Sequence, residues 1–285
     1  MKNLFLGISL FISFSSLACT DGTGFLPEND LFIAADSPLA GGLSEEEFNA
    51  VIDKTEAVYA PIISSEGGKL VVTRNWTDGT VNASAQRVGT WIVNMYGGLA
   101  RHPLVTPDGF NLVLCHEIGH HIGGFPKNKL LGFNTWSSNE GQSDYFGSLK
   151  CLRKIFILEN NEEILSKMDV PQKVKKDCAQ SFSSKEEQLI CQRSAMAGFS
   201  AASLLAALRK SPTPSFDLND TNVVDKTFNA HPQAQCRLDT YYAGSLCAKD
   251  MNDDVSQKEE TLGTCHKKLG DKVGLRPLCW FKPKN

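Results

Sequence analysis

The sequence predicts an α+β fold: a small N-terminal β-sheet followed by a helical C-terminal part carrying disulfides. Three observations lead there. Short β-type segments cluster between residues 69 and 96, helical periodicity and capping signals take over from Thr106, and eight of the nine cysteines lie from Cys115 onward. With 285 residues the chain can bury one good core, or at most two small ones.

In chain order, residues 1–18 read as a signal peptide. Lys2 is a brief positive region, and residues 4–14 form an apolar run of secretory length, well below the ~20 residues that span a bilayer. Ser16-Leu17-Ala18 places small residues before Cys19, which suits ordinary signal peptidase. The same stretch resembles a bacterial lipobox, in which Cys19 becomes a lipid anchor. Residues 19–43 form a flexible lead-in whose first part, to Asn29, is rich in Gly, Pro and Asp. Ser44 followed by Glu45, Glu46 and Glu47 is a capping box opening a helix to about Tyr59. Strand-like segments follow at 69–76, 81–87 and 90–96, with a turn at Asp78-Gly79.

From Thr106 the signals are helical. Thr106-Pro107-Asp108 supplies an N-cap, a proline at the first helical position and an acid in the first turn, and Gly123-Gly124 ends that helix near Ile122. Further helices are expected from about Ser138 into Ile155, at 184–209 and from Pro232, with a Pro-, Ser- and Asp-rich loop at 211–230. The main unit is expected at 44–250, and residues 251–285 as a disulfide-stapled tail that wraps the body. Residues 195–208, interrupted by Ser200 and Ser203, read as a buried helix, so no transmembrane segment is expected in the mature chain. A formal charge of −3 without a concentrated basic face sets nucleic acid aside as a partner. Nine cysteines with no CxxC agree with an oxidising compartment and argue against a zinc knuckle. The expected location is outside the cytoplasm: periplasmic, outer-membrane lipoprotein or secreted.

Chemistry concentrates in Cys115-His116-Glu117-Ile118-Gly119-His120-His121. Residues four apart stack on one helix face, so His116 and His120 can hold one metal ion together. Glu117 projects ~100° around the helix from His116, beside the metal, as suits a general base acting on water. Phe110, Val113, Leu114 and Ile118 give the helix a side to bury. A zinc site that does chemistry needs a third protein ligand and an open position. Glu140 is the candidate, 20 residues after His120, with Gly123-Gly124-Phe125-Pro126 letting the chain turn back. Asp144, one turn on, can accept the second ring N–H of a ligand histidine. Ser137-x-x-Glu140 also reads as a capping box, in which Glu140 merely holds a helix start; both readings stand here. His121 points elsewhere, His102 and His266 read as surface or loop residues, and Tyr145 as core. Cys115 and Cys151 lie on the two helices that would meet at the metal and are expected to bond, leaving six cysteines to pair in the C-terminal half.

With Glu-x-x-x-Asp on the following helix, the chain resembles the gluzincin metallopeptidases. His231-Pro232 followed by Arg237 is similar to the His-Pro…Arg segment of the HtpX/CAAX-prenyl-protease family, and the likeness spans about residues 44–240. The family's membrane helices are absent and the gap between the two metal motifs is shorter. The resemblance implies Zn2+ held by His116, His120 and Glu140, Glu117 as general base and His231 as a further catalytic donor. It implies supporting roles for Asp144 and Arg237. Val81-Asn82-Ala83 and the 90–96 segment, with Trp91, Val93 and Met95, take the place of a substrate edge strand, to which an extended peptide or protein substrate would add. The implied function is an exported zinc-dependent metalloendopeptidase. Two alternatives remain: a zinc hydrolase of a non-peptide amide or ester, and a catalytically inactive zinc-binding envelope protein.

Overall fold

The computed structural model describes residues 24–284 and, ahead of them, a two-residue strand β1 (Ser16–Leu17). The rest of the expected leader, and Cys19, lie outside the described residues. Ser44 opens α1 (Glu45–Ser65) with the expected capping box: its hydroxyl accepts from Glu47 N at 3.2 Å, and Glu47 accepts from Ser44 N at 2.8 Å. The helix runs past Tyr59 because Ile63 extends its buried stripe of Phe48, Ile52, Thr55 and Tyr59.

Strands β2 (Leu70–Asn75), β3 (Ala83–Val88) and β4 (Thr90–Tyr96) join β1 in a sheet of order β1-β3-β4-β2. β3 runs antiparallel and β2 parallel to β4. Val72, Ala83, Ala85, Val93 and Met95 are buried at alternate positions, as a sheet with one covered face requires. The topology corrects one expectation. The strand carrying Trp91, Val93 and Met95 is not an edge; it lies between β3 and β2, because the parallel partner β2 takes up its open side. The outer strands are β1 and β2, and β1 covers β3 at Gln86 and Arg87.

After the short α2 (Gly97–Arg101), α3 (Pro107–Ile122) forms within its expected bounds, with Thr106 Oγ1 accepting from Gly109 N at 3.0 Å. It is buried from Asp108 to His121. Its Phe110, Leu114 and Ile118 share one core with Val93 and Met95 of the sheet and Phe48 and Ile52 of α1. Asp108, in the first turn, accepts from Arg193 at 2.6 and 3.1 Å. A hairpin not foreseen in the sequence follows, β5 (Lys127–Leu130) and β6 (Phe133–Ser138). The next helix is three pieces: α4 (Glu140–Phe146), a π-helical turn (Gly147–Cys151) and α5 (Leu152–Phe156). Two helices also unforeseen, α6 (Asn161–Leu165) and α7 (Gln172–Ser181), precede the long α8 (Lys185–Leu208) and α9 (Ala234–Leu246). Pro232 precedes the N-cap Gln233 of α9 and so does not occupy its first helical position.

Four disulfides staple the described chain: Cys115–Cys151, Cys178–Cys191, Cys236–Cys279 and Cys247–Cys265. The first joins α3 to the π-helical turn, as expected, and the other six cysteines pair in the C-terminal half. The last two bonds tie the tail to α9 and its end. No helix among the described residues is long and apolar enough to cross a membrane.

Candidate metal centre

Two helices build the centre. On α3, four residues of spacing put His116 and His120 on one face, their rings edge to face at 4.7 Å. Gly119 lies between them, and a Cβ there would stand 3.1 Å from Ser143 Cα and O, so the missing side chain lets α4 cross close to α3. That approach delivers Glu140. Its carboxylate oxygens stand 3.3 Å from His116 Nε2 and 3.5 Å from His120 Nε2. The two imidazoles and the carboxylate form a group positioned to hold a metal ion, their ligand atoms all within 4.8 Å of one another and all buried. The capping alternative for Glu140 is resolved by Asn139, whose side chain accepts from Gln142 N at 2.9 Å and caps α4, while Ser137 belongs to β6.

The far ring nitrogens set the tautomers. His116 Nδ1 donates to Asp144 Oδ1 at 2.7 Å, and His120 Nδ1 to the Ser138 carbonyl at 2.9 Å. Both Nε2 atoms then face the Glu140 carboxylate. His116 Nε2, His120 Nε2, both Glu140 oxygens and both Glu117 oxygens are buried without a hydrogen bond among the described residues. An unsatisfied buried polar atom costs about 1–3 kcal/mol, and more when charged, so the four on His116, His120 and Glu140, whose ligand atoms crowd together, call for a common partner. A divalent cation meets that need, and the donors fit one: imidazole nitrogen and carboxylate oxygen.

The electrostatics follow from this crowding. Burial pushes Glu117 up to about 8. Burial alone would depress His116, but Asp144 and Glu140 outweigh it and bring it to about 9. Burial takes His120 down to about 4. It would raise Glu140 too, yet His231, His120 and His116 hold that carboxylate well below its usual range. A cation bound at the Nε2 atoms displaces the proton His116 otherwise keeps.

Asp144 is heavily bonded behind the centre. Besides His116 it accepts from Arg237 Nε at 2.8 Å, from the Arg237 terminal nitrogen at 2.6 Å and from Tyr241 Oη at 2.6 Å. Burial disfavours its charge, and Arg237 and His116 more than compensate, so its pKa falls below the ordinary value. His231 lies in the same cluster: its Nε2 is 3.4 Å from Glu140 Oε2 and donates to the Gly24 carbonyl at 2.7 Å. Residues 24–26 close this side, with Phe25 edge-on to His116 at 5.0 Å, its carbonyl on Arg237 and its N–H on Ala83 O.

Comparison of the chain with models of known families, with curated proteins and with solved structures finds no match. The centre therefore stands on its own geometry.

The structure thus brings His116, Glu117, His120, Glu140, Asp144, His231 and Arg237 together, and leaves Trp91, Val93 and Met95 out of reach of a substrate strand. His121 stacks between Trp91 and Trp136, at 5.3 and 5.0 Å. Tyr145 is core, its hydroxyl bonded to the Gly274 carbonyl. His266, expected in a loop or at the surface, lies in a loop but is buried, 3.3 Å from Glu260. Three contributors escaped sequence reading. Tyr241 was detectable, since it follows Arg237 by four residues on one helix face. The Ser138 carbonyl and the Gly24–Phe25 wall carry no side-chain signature. A second grouping, Asp220 with Cys236 and Cys279, holds no metal of this kind, because its cysteines are bonded to each other.

Proposed function

We propose that this protein is an exported zinc-dependent metallopeptidase of gluzincin type. One observation carries the reading. Beside the paired Nε2 atoms and Glu140, the Glu117 carboxylate is buried, unpaired among the described residues and one position along α3 from His116. A purely structural metal site has no use for such a carboxylate, whereas hydrolysis needs a base beside the ion. Two histidines and a glutamate with a position left open is the donor set of catalytic zinc. When bound, zinc supplies Lewis acidity toward a carbonyl oxygen and makes water more acidic.

The chain's own residues supply the rest. Glu117 takes the proton of the attacking water and returns it to the departing amine. His231, whose Nε2–H is held by the Gly24 carbonyl, exchanges that partner for the oxygen of the scissile carbonyl as charge develops on it. Asp144, held by Arg237 and Tyr241, keeps His116 in the tautomer that leaves Nε2 free. Once export removes the leader that carries β1, β3 becomes an outer strand, and an extended peptide pairs with it in antiparallel sense, the mode by which strand addition recognises backbone. The HtpX/CAAX-protease likeness is retained as a proposal on the strength of His231, Pro232 and Arg237.

The test uses purified protein with zinc content and casein cleavage read side by side. Glu117→Gln should keep about one zinc and lose at least ~100-fold in cleavage rate, since general-base catalysis commonly contributes 10²–10⁴. Undiminished turnover overturns the mechanism. Cleavage of esters or small amides without peptides points to the non-peptide hydrolase, and bound zinc without any hydrolysis to the binding protein.

A further inference from the structure

The β5–β6 hairpin presents its apolar residues outward. Leu130, Leu131 and Phe133 are 66%, 91% and 78% exposed at its tip. The turn is also conformationally odd. Leu131 and Gly132, its two central residues, have φ of +50° and +85°, the left-handed pair of a two-residue hairpin turn. Such turns favour Asn, Asp or Gly; a leucine there is disfavoured by its own Cβ, yet its side chain packs on almost nothing. Stability does not explain that choice, so the exposed leucine points to use outside the folded chain.

We propose that this tip docks on a lipid bilayer and turns the metal centre toward the membrane surface. Three observations select a bilayer over a protein. The tip is convex, and two leucines and a phenylalanine offer a few hundred Å², far below the ~1,200–2,000 Å² of a stable protein interface. From Phe125 to Asn139 there is no acidic residue, and Lys129 is exposed beside the tip, as suits an anionic surface. Cys19, the residue a lipobox would acylate, precedes Gly24 by five residues, a reach of at most ~17 Å, and Gly24 is held by His231.

The hairpin is rigidly coupled to the centre at its base. Buried Lys127 donates to the Trp136 carbonyl at 3.1 Å, Trp136 stacks on His121, and Ser138 holds His120. The tip stands three residues beyond the Lys127↔Ser138 pair, roughly 10 Å at strand rise. The hairpin base and Gly24 both touch residues of the centre, so a tip and an acyl chain seated in one bilayer would hold the centre close to its surface. On the peptidase reading, the corollary is a substrate class: polypeptides presented at the membrane.

The experiment needs no activity, so its failure is separable from failure of that reading. The exported chain carrying Cys19→Ser, which removes any acyl anchor, is mixed with vesicles of phosphatidylethanolamine and phosphatidylglycerol, and with phosphatidylcholine alone. Cosedimentation should be at least tenfold stronger than for Leu130→Ser/Leu131→Ser/Phe133→Ser, and stronger on the anionic vesicles. In a second variant, Leu131→Trp, emission should shift to the blue and be quenched by brominated lipid beyond the quenching of the native tryptophans. Equal sedimentation of the two chains, an unquenched Trp at 131, or a dimer in solution that the triple variant dissolves would each overturn the proposal.

Discussion

At the scale of single residues, the centre is a set of buried polar atoms arranged so that each has a reason. The Nδ1 partners, Asp144 and the Ser138 carbonyl, decide that both imidazoles turn Nε2 toward Glu140. Asp144 in turn depends on Arg237 and Tyr241, because burying a carboxylate without donors is expensive. Tyr241 is the sharper probe, since Phe keeps the ring and removes only the hydroxyl. Tyr241→Phe should cost about 1.5–3 kcal/mol of stability, the worth of a bond to a charged group, and weaken zinc 10–100-fold, as loss of a ligand's support does. Chelator competition measures the affinity; a change under twofold would reduce Tyr241 to packing.

At the scale of elements, α3, α4, α9 and the β5–β6 hairpin converge, and the hairpin is anchored by a buried lysine, Lys127. Burial, with Arg87 adding repulsion, pushes Lys127 down to about 7, against ~10.4 for an unfolded lysine. Between those values the unfolded chain binds the extra proton, so stability rises with pH from about 7 toward 10 and the cost is fully present below 7. Lys127→Met removes that contribution. Urea unfolding at pH 7 and pH 9 should give a smaller gain for the variant than for the parent chain; equal gains would mean Lys127 keeps its ordinary affinity for protons. The hairpin was not legible in the sequence because its register is shifted between Lys127 and Lys129 and its alternation of apolar and polar residues is broken.

At the scale of the molecule, the tail is part of the centre's support. A Cβ on Gly141 would lie 2.2 Å from Trp280 Cδ2, so the indole packs directly on the residue after Glu140. Trp280 donates from Nε1 to Thr240 Oγ1 at 2.9 Å and is held nearby by Cys236–Cys279. Trp280→Ala should cost about 3–5 kcal/mol, as truncation of a buried aromatic does, and loosen the first turn of α4. Thermal unfolding with and without added zinc reads both effects. A variant that loses stability but keeps its zinc affinity would show the tail to be a brace only.

The sequence by itself determined what lies within one helix turn or one cap: the bounds of α3, the shared face of His116 and His120, and Glu117 beside them. It also singled out Glu140, although a capping box competed until Asn139 was seen to cap the helix. Pairing Cys115 with Cys151 followed from placing both on helices that meet. The tertiary structure decided what depends on partners far along the chain. A parallel strand made β4 central, because nothing in Trp91, Val93 or Met95 distinguishes a strand with one neighbour from a strand with two. A backbone carbonyl at Ser138 took the role often filled by a side chain, and every residue has one. Residues 24–26, which read as a flexible lead-in, became a wall of the site: only the folded core offers Phe25 a ring to meet and Gly24 a donor.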